Sequence, residues 1–363
     1  MTKLNEVAKI GQSIWLDYIS RSLIKSGELK DWVNKGLRGV TSNPSIFEKA
    51  INGSSDYDDD IKRLVSEGKS VDEIYESLVM DDIANAADIL RTVYDSTGGL
   101  DGYVSLEVNP KLAYDTEGTI SEARRLFSVL NRPNVFIKVP ATKEGVPAIE
   151  QLISDGVNIN VTLIFSISHY EAIASAYISG LEKRLNSGKD ISKVTSVASF
   201  FVSRLDSYLD PLLKQANRND LLGKTAVAYA KMVYARFKEI FCGDRWEKLV
   251  KNGARVQRPL WGSTSTKNPD YPDTIYIDNL IGPNTVNTVP TNTLNAFIDH
   301  GIVSSTLESG INDAKAVLNE VEKIGIDLND VTEKLQAKGV ELFAEAFDML
   351  MDSISKKREA FNR

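Results

Sequence analysis

Eight times along this chain a short apolar run rich in β-branched residues precedes a longer stretch, and that alternation is what most limits the fold. The runs are 13–17 (SIWLD), 38–43 (RGVTSN), 102–107 (GYVSLE), 135–139 (VFIKV), 158–165 (NINVTLIF), 195–200 (TSVASF), 255–261 (RVQRPLW) and 274–279 (TIYIDN). Several of the stretches between and after them have helical period. In 71–94, Ile74, Leu78, Ile83, Ala87, Leu90 and Tyr94 fall on one face. Segments 168–186, 220–241, 306–323 and 329–362 read as helices too. Strands joined by helical crossovers lie parallel. Eight of them predict a closed (β/α)8 TIM barrel of class α/β with additional helices, and an open doubly wound sheet is the rival. At 363 residues the chain is long enough for two average domains. A single α/β barrel also covers that length, so the expectation is one domain over 1–363, with helix 329–362 packed outside the barrel.

No G-x-G-x-x-G follows any run, which removes the main support for a dinucleotide-binding sheet. Gly223-Lys224-Thr225 has the tail of a phosphate loop, but Arg218 stands where its first glycine belongs. No G-x-S-x-G elbow accompanies His169, and His300, next to Gly301, reads as a helix end. One cysteine, Cys242, and two histidines exclude an intrachain disulfide, an iron–sulfur cluster and a multi-His zinc site. The charge balance, 43 Lys plus Arg against 50 Asp plus Glu, gives −7. Such a chain is a poor candidate for nucleic acid or an anionic membrane, though one basic pocket for a small phosphate fits it. No run approaches the length of a membrane span, and no signal-peptide core opens the sequence. The expected location is cytoplasmic.

The chemistry is written where the strand-like runs break their own rule. Parallel strands covered on both faces should be almost continuously aliphatic. Here Asp17, Asn43, Glu107, Lys138, Asn160, Thr162 and Ser199 stand late in the runs. The C-terminal strand ends of a barrel form its active site, so these groups should converge. Lys138, between Val135-Phe136-Ile137 and Val139-Pro140, is the most informative. A desolvated lysine loses its proton more readily, and its neutral amine can attack a carbonyl to form a Schiff base. Asp17 and Glu107 supply the acid and base such chemistry needs, or else act as ion-pair partners of Lys138. Arg204, where a helix should begin after the sixth run, suits a phosphate; a surface pair with Asp206 is the alternative.

Taken as motifs, these segments resemble one family. Gly39-Val40-Thr41-Ser42-Asn43-Pro44-Ser45-Ile46-Phe47 resembles the transaldolase signature after strand two. Val135 to Thr142 resembles its Schiff-base lysine segment, and Asn158 to Ser166 its strand-five motif. The WLDYISR start and the R-P-L-W segment resemble the longer bacterial subfamily. The resemblance implies a barrel related to class I aldolases, with no metal or organic cofactor. It implies phosphorylated sugar substrates and transfer of a dihydroxyacetone unit in the non-oxidative pentose phosphate pathway. By motif position it makes Lys138 the Schiff-base residue and Asp17 the proton carrier at the C4 hydroxyl. Glu107 would act through a water held with Thr162. Asn43, Asn160 and Ser199 would bind the dihydroxyacetone hydroxyls, Phe201 would wall the pocket, and Arg204 would bind phosphate.

One position departs from the pattern. Many transaldolases carry a second phosphate-binding arginine after strand seven, where this chain has Ser263. Arg258 or Lys267 are candidate replacements, with Ser263 or Ser265 as hydrogen-bond donors. A simple aldolase that releases dihydroxyacetone, and a catalytically idle binding barrel, are the competing functions. Monomer and homodimer both stay open. Some longer relatives continue into a phosphoglucose isomerase domain, which a chain stopping at Arg363 is expected to lack.

Overall fold

A computed structural model describes residues 2–361. Eight parallel strands close on themselves in sequence order: β1 Gln12–Leu16, β2 Gly39–Thr41, β3 Tyr103–Glu107, β4 Val135–Pro140, β5 Ile159–Ile164, β6 Ser196–Phe201, β7 Arg258–Gly262 and β8 Thr285–Val289. β1 pairs with β8 from Gln12 opposite Thr285 to Leu16 opposite Val289. That pairing closes the sheet and rules out the open alternative. The expected helices form at Val71–Ser96, Ile167–Asn186, Thr225–Ile240, Ile311–Lys323 and Leu328–Phe361. Position 362, the expected end of the last one, lies outside the described residues. Among the described residues no helix is long and apolar enough to cross a membrane.

The eighth strand is a correction. Segment 274–279, expected as a strand, is one helical turn, Ile275–Asp278, whose Tyr276 and Ile277 are buried. A short apolar run is consistent with either structure. Here Ile277 N–H and Asp278 N–H both donate to Thr274 O, so the polar backbone is satisfied locally. The true β8, TVNTV, is half polar and yet buried throughout. Thr285 Oγ1 donates to Gly282 O at 2.6 Å, and Asn287 Nδ2 to Tyr276 O at 3.0 Å.

The barrel interior is layered, because residues two apart on a strand face the same side. Trp15, Tyr103, Phe136, Val197, Leu260 and Val286 pack together as its apolar floor. Trp15 stacks on Phe136 with ring centres 6.1 Å apart. Gly39 has room for no side chain: a Cβ there would lie 2.5 Å from the Trp15 ring. Two residues further along come Asp17, Ser105, Lys138, Ser199 and Thr288, the polar layer at the C-terminal end. Two residues back lies a smaller polar plug, where Arg258 is ion-paired to Asp101 at 2.9 Å and accepted by Ser13 Oγ at 3.0 Å.

The C-terminal helix Leu328–Phe361 sends one stripe of residues over the strand ends. Gln336 Nε2 donates to Ala141 O and to Leu163 O, both at 3.0 Å, just past β4 and on β5. β5 bulges there: its register to β6 shifts between Val161 and Ile164, and Leu163 has φ +58°. Gly339 accommodates the bulge, since a Cβ on it would lie 2.8 Å from Leu163 Cδ2.

On the outer face, helix Ser203–Gln215 is tied to the segment after β7. Tyr276 Oη donates to Asp206 Oδ2 at 2.8 Å, and Tyr271 Oη to Asp210 Oδ2 at 2.7 Å. Burial pushes the Asp206 carboxyl up to about 7, against the bonds from Ala226 N–H and Tyr276. A carboxyl with a raised folded-state pKa stabilises the fold below its ordinary value of 3.8 and loses that contribution as pH rises through about 7. In Asp206→Asn, urea-unfolding free energy should therefore fall less across that window than in the parent chain. Removing one partner of a buried ion pair costs about 3–5 kcal/mol, so Arg258→Leu should lower the unfolding free energy by about that much in the same assay.

Candidate active site

The polar layer opens into a cavity of about 310 Å³ at the C-terminal mouth. Lys138 enters it from the middle of β4, and its side chain is only 5% exposed. Its Nζ donates to Ser42 O at 3.2 Å and lies 3.0 Å from Glu107 Oε2. The latter contact is an ion pair whose angle departs from that of a hydrogen bond, so Oε2 has no hydrogen-bond partner. Glu107, at the end of β3, is directly opposite Lys138 in the strand register. Burial raises the Glu107 carboxyl above its ordinary value, the Lys138 charge opposing that rise.

Asp17 follows β1 and is fixed by its backbone, whose N–H donates to Val289 O at 2.8 Å. Its Oδ1 accepts from Thr41 Oγ1 at 2.7 Å, and Thr41 Oγ1 lies 2.7 Å from Thr288 Oγ1. Burial raises the Asp17 carboxyl as well, with Lys138 the largest opposing influence. A carboxyl shifted toward neutrality can both take and return a proton.

Between these groups runs a fixed chain of donors and acceptors. Ser199 Oγ donates to Asn160 Oδ1 at 2.7 Å, and Asn160 Nδ2 donates to Ser105 Oγ at 3.0 Å. Thr162, two residues beyond Asn160, is fully buried, and its Oγ1 has no hydrogen-bond partner. Asn43 lines the cavity and also caps helix Pro44–Asn52, its Oδ1 accepting from Ile46 N–H at 3.0 Å.

Arg204 begins helix Ser203–Gln215 and turns into the same cavity. Its guanidinium lies 5.1 Å from the Phe201 ring centre and 5.8 Å from that of Phe343. These rings hold the fork in place through cation–π contact. Burial lowers its pKa, with Glu107 and Asp17 acting the other way. Asp206, the alternative partner, accepts instead from Ala226 N–H and Tyr276. All nine residues singled out in the sequence thus lie within the barrel strands or just beyond their C-terminal ends.

The strand-seven departure resolves differently from expectation. Arg258 begins β7, at the opposite end of the barrel, and is committed to Asp101. It cannot face a ligand at the mouth. Lys267, Ser263 and Ser265 do line the cavity, and Lys267 Nζ donates to Ser265 Oγ at 2.6 Å. Ser203 Oγ and Ser263 Oγ lie 3.0 Å apart, joining the start of the Arg204 helix to the loop after β7.

Among the lining residues missed in the sequence are Lys49 and Phe343. Lys49 sits on helix Pro44–Asn52 where it reads as an ordinary solvent-facing lysine, yet it lines the cavity with Lys267 and Arg204. Phe343 comes from the C-terminal helix and lies over Lys138, whose Nζ is 5.4 Å from its ring centre. No local signal distinguishes it from a core phenylalanine. His169 and His300 take no part: His169 Nε2 meets Glu333 at 2.8 Å, and His300 is bracketed by Asp273 and Asp299. Among the described residues no group of three or more His, Cys, Asp or Glu side chains is placed to hold a metal ion.

Known proteins are similar in sequence to this chain over nearly their whole length. Residues 14–354 match the family model described as Transaldolase/Fructose-6-phosphate aldolase. A protein named Transaldolase 2 from Nostoc punctiforme is 49% identical, the match covering 98% of this chain and 97% of that one. A Transaldolase from Trichodesmium erythraeum is 48% identical with the same coverage, and one from Mycobacterium ulcerans is 44% identical. On that full-length match the chain belongs to the transaldolase/fructose-6-phosphate aldolase family.

Proposed function

We propose that the cavity carries out the transaldolase reaction with Lys138 as its Schiff-base residue. A dihydroxyacetone unit passes reversibly from sedoheptulose 7-phosphate or fructose 6-phosphate to glyceraldehyde 3-phosphate or erythrose 4-phosphate. The observation that carries the assignment is the Lys138 amine, buried at the floor of a polar cavity and 3.0 Å from Glu107. That substrate class also supports a cytoplasmic location.

The amine attacks the ketose carbonyl carbon to form a carbinolamine. Its C–O bond then breaks as the nitrogen lone pair closes the C=N bond, and the hydroxyl leaves as water with a proton from Glu107. Buried Glu107 Oε2 and Thr162 Oγ1, both without a hydrogen-bond partner, support a water held between them. Asp17 takes the proton of the C4 hydroxyl as the C3–C4 bond breaks, and the electron pair passes into the protonated imine. The aldehyde leaves, and the three-carbon carbanion waits for the acceptor. Asn160 and Ser199, fixed to each other, suit its hydroxyls, and Asn43 stands at the same wall. Arg204 is the phosphate anchor, with Lys49, Lys267 and the serines after β7 around it.

Borohydride reduction in fructose 6-phosphate should leave a three-carbon adduct on Lys138, located by peptide mass mapping, and none in Lys138→Ala. Normal turnover by that variant would falsify the mechanism. Adding erythrose 4-phosphate should yield sedoheptulose 7-phosphate; free dihydroxyacetone as the main product would instead make the protein an aldolase. A hydrogen bond to a charged group is worth about 1.5–3 kcal/mol, or roughly ten- to a hundredfold in affinity. Arg204→Ala should raise KM by about that factor for phosphorylated sugars and leave unphosphorylated analogues little changed.

A further inference from the structure

Glu107 borders a second cavity. Behind β3, a space of about 200 Å³ lies between helices Val71–Ser96 and Thr116–Leu130, and Phe347 of the C-terminal helix forms part of its wall. It is lined by Glu107 at one side and by Glu76, Asp72 and Arg125 at the others. Asp72 is exposed, and Arg125 pairs with Glu76 at 2.6 Å with about half of its side chain in solvent. The space therefore runs from bulk water to the catalytic wall. A cavity of this size with several polar groups around it has room for a short file of water molecules.

The same helix stripe separates this space from the sugar cavity. Phe343 lines the latter and Phe347, one turn on, lines the former. Phe347 is held by the Tyr75 ring, edge-on at 5.3 Å. Lys138 lines the sugar cavity and Glu107 the side cavity, and the two side chains are 3.0 Å apart. Glu122 stands in the side cavity with its Oε2 accepting from Asn109 N–H at 2.8 Å. Burial keeps this carboxyl above its ordinary range.

Resting on the Schiff-base reading, we propose that the side cavity is the route by which water and protons reach and leave Glu107, with Glu122 as its proton-handling group. Imine formation releases one water and leaves Glu107 as a carboxylate; hydrolysis consumes one water and needs the proton moved back. A ketose phosphate filling the sugar cavity blocks the mouth for both. The side cavity keeps water exchange at the Lys138 carbon apart from the carbanion, which must be shielded from stray protons in the sugar cavity. Glu122 takes the proton from, or returns it to, a water on the Glu107 side and exchanges it with bulk at the Glu76–Arg125 rim. Glu122 is a positioning and relay group and touches no substrate.

The test is oxygen exchange. In 18O-water, reversible imine formation places the label at the C2 carbonyl of fructose 6-phosphate. Glu122→Gln keeps an acceptor for Asn109 N–H but removes the titratable carboxyl. Met80→Trp, from the cavity lining, fills the passage. Each should slow label entry by about a hundredfold, the low end of acid–base contributions, while KM stays near the parent value. Exchange at the parent rate in folded Glu122→Gln, checked by circular dichroism, would overturn the relay, and the same in Met80→Trp would overturn the passage. A parent protein that neither exchanges label nor forms the Lys138 adduct would instead overturn the Schiff-base reading on which both rest.

Discussion

Keeping an ammonium and two carboxylates out of water at one place is the constraint to which the rest of the molecule answers. An isolated charge moved into a protein interior costs several kcal/mol even after relaxation, and a pair recovers this only with good geometry. Lys138, Glu107 and Asp17 sit on three different strands, so only a closed sheet with fixed register can hold them together. The aromatic floor of Trp15, Tyr103 and Phe136 excludes water from below. The C-terminal helix does so from above through Phe343. The result is a pair of acids whose carboxyl pKa values burial raises, beside an amine in contact with one of them.

Rigid elements place most of the reacting groups. Lys138, Asn160 and Ser199 are within β4, β5 and β6, and Glu107 closes β3. Positions within strands are held better than positions in loops, which suits a reaction in which an intermediate has to wait. The end proposed to bind phosphate is built differently. Arg204 begins a helix, Lys267 sits in a loop, and Lys49 projects from a separate helix. Two long side chains and a loop can adjust to donors and acceptors of different length, whereas the carbon being transferred always sits at the same wall.

Much of this was legible in the order of residues, and the exceptions have physical causes. Seven strands were found because their outward-facing residues are aliphatic and their inward polar residues come late. β8 was missed because Thr285, Asn287 and Thr288 break the apolar run, their side chains hydrogen-bonding to neighbouring segments instead. The apolar run at 274–279 took its place in the count, although it is buried as a helical turn. Asp17, Glu107 and Lys138 stood out because a charge inside an aliphatic run has a cost that demands a reason. Lys49 and Phe343 did not, since a lysine on a helix and a phenylalanine in a helical stripe conform to ordinary patterns. Arg258 misled because the run at 255–261 gave no sign of which end of the barrel its arginine occupies. Only the strand boundary decides that.

The Gln336–Gly339–Phe343–Phe347 stripe also has a consequence in time. Domains are made from the N-terminus at a limited rate and generally fold as units. Every strand of the barrel precedes this stripe in the sequence, so a growing chain possesses Lys138, Glu107 and Asp17 well before it possesses the wall that dries them. Until Phe343 arrives, the lysine remains wet, the β5 bulge lacks the amide that binds its carbonyl, and an early barrel is a container without a lid. A chain that folds as a unit therefore encloses Lys138 only when its last helix is available.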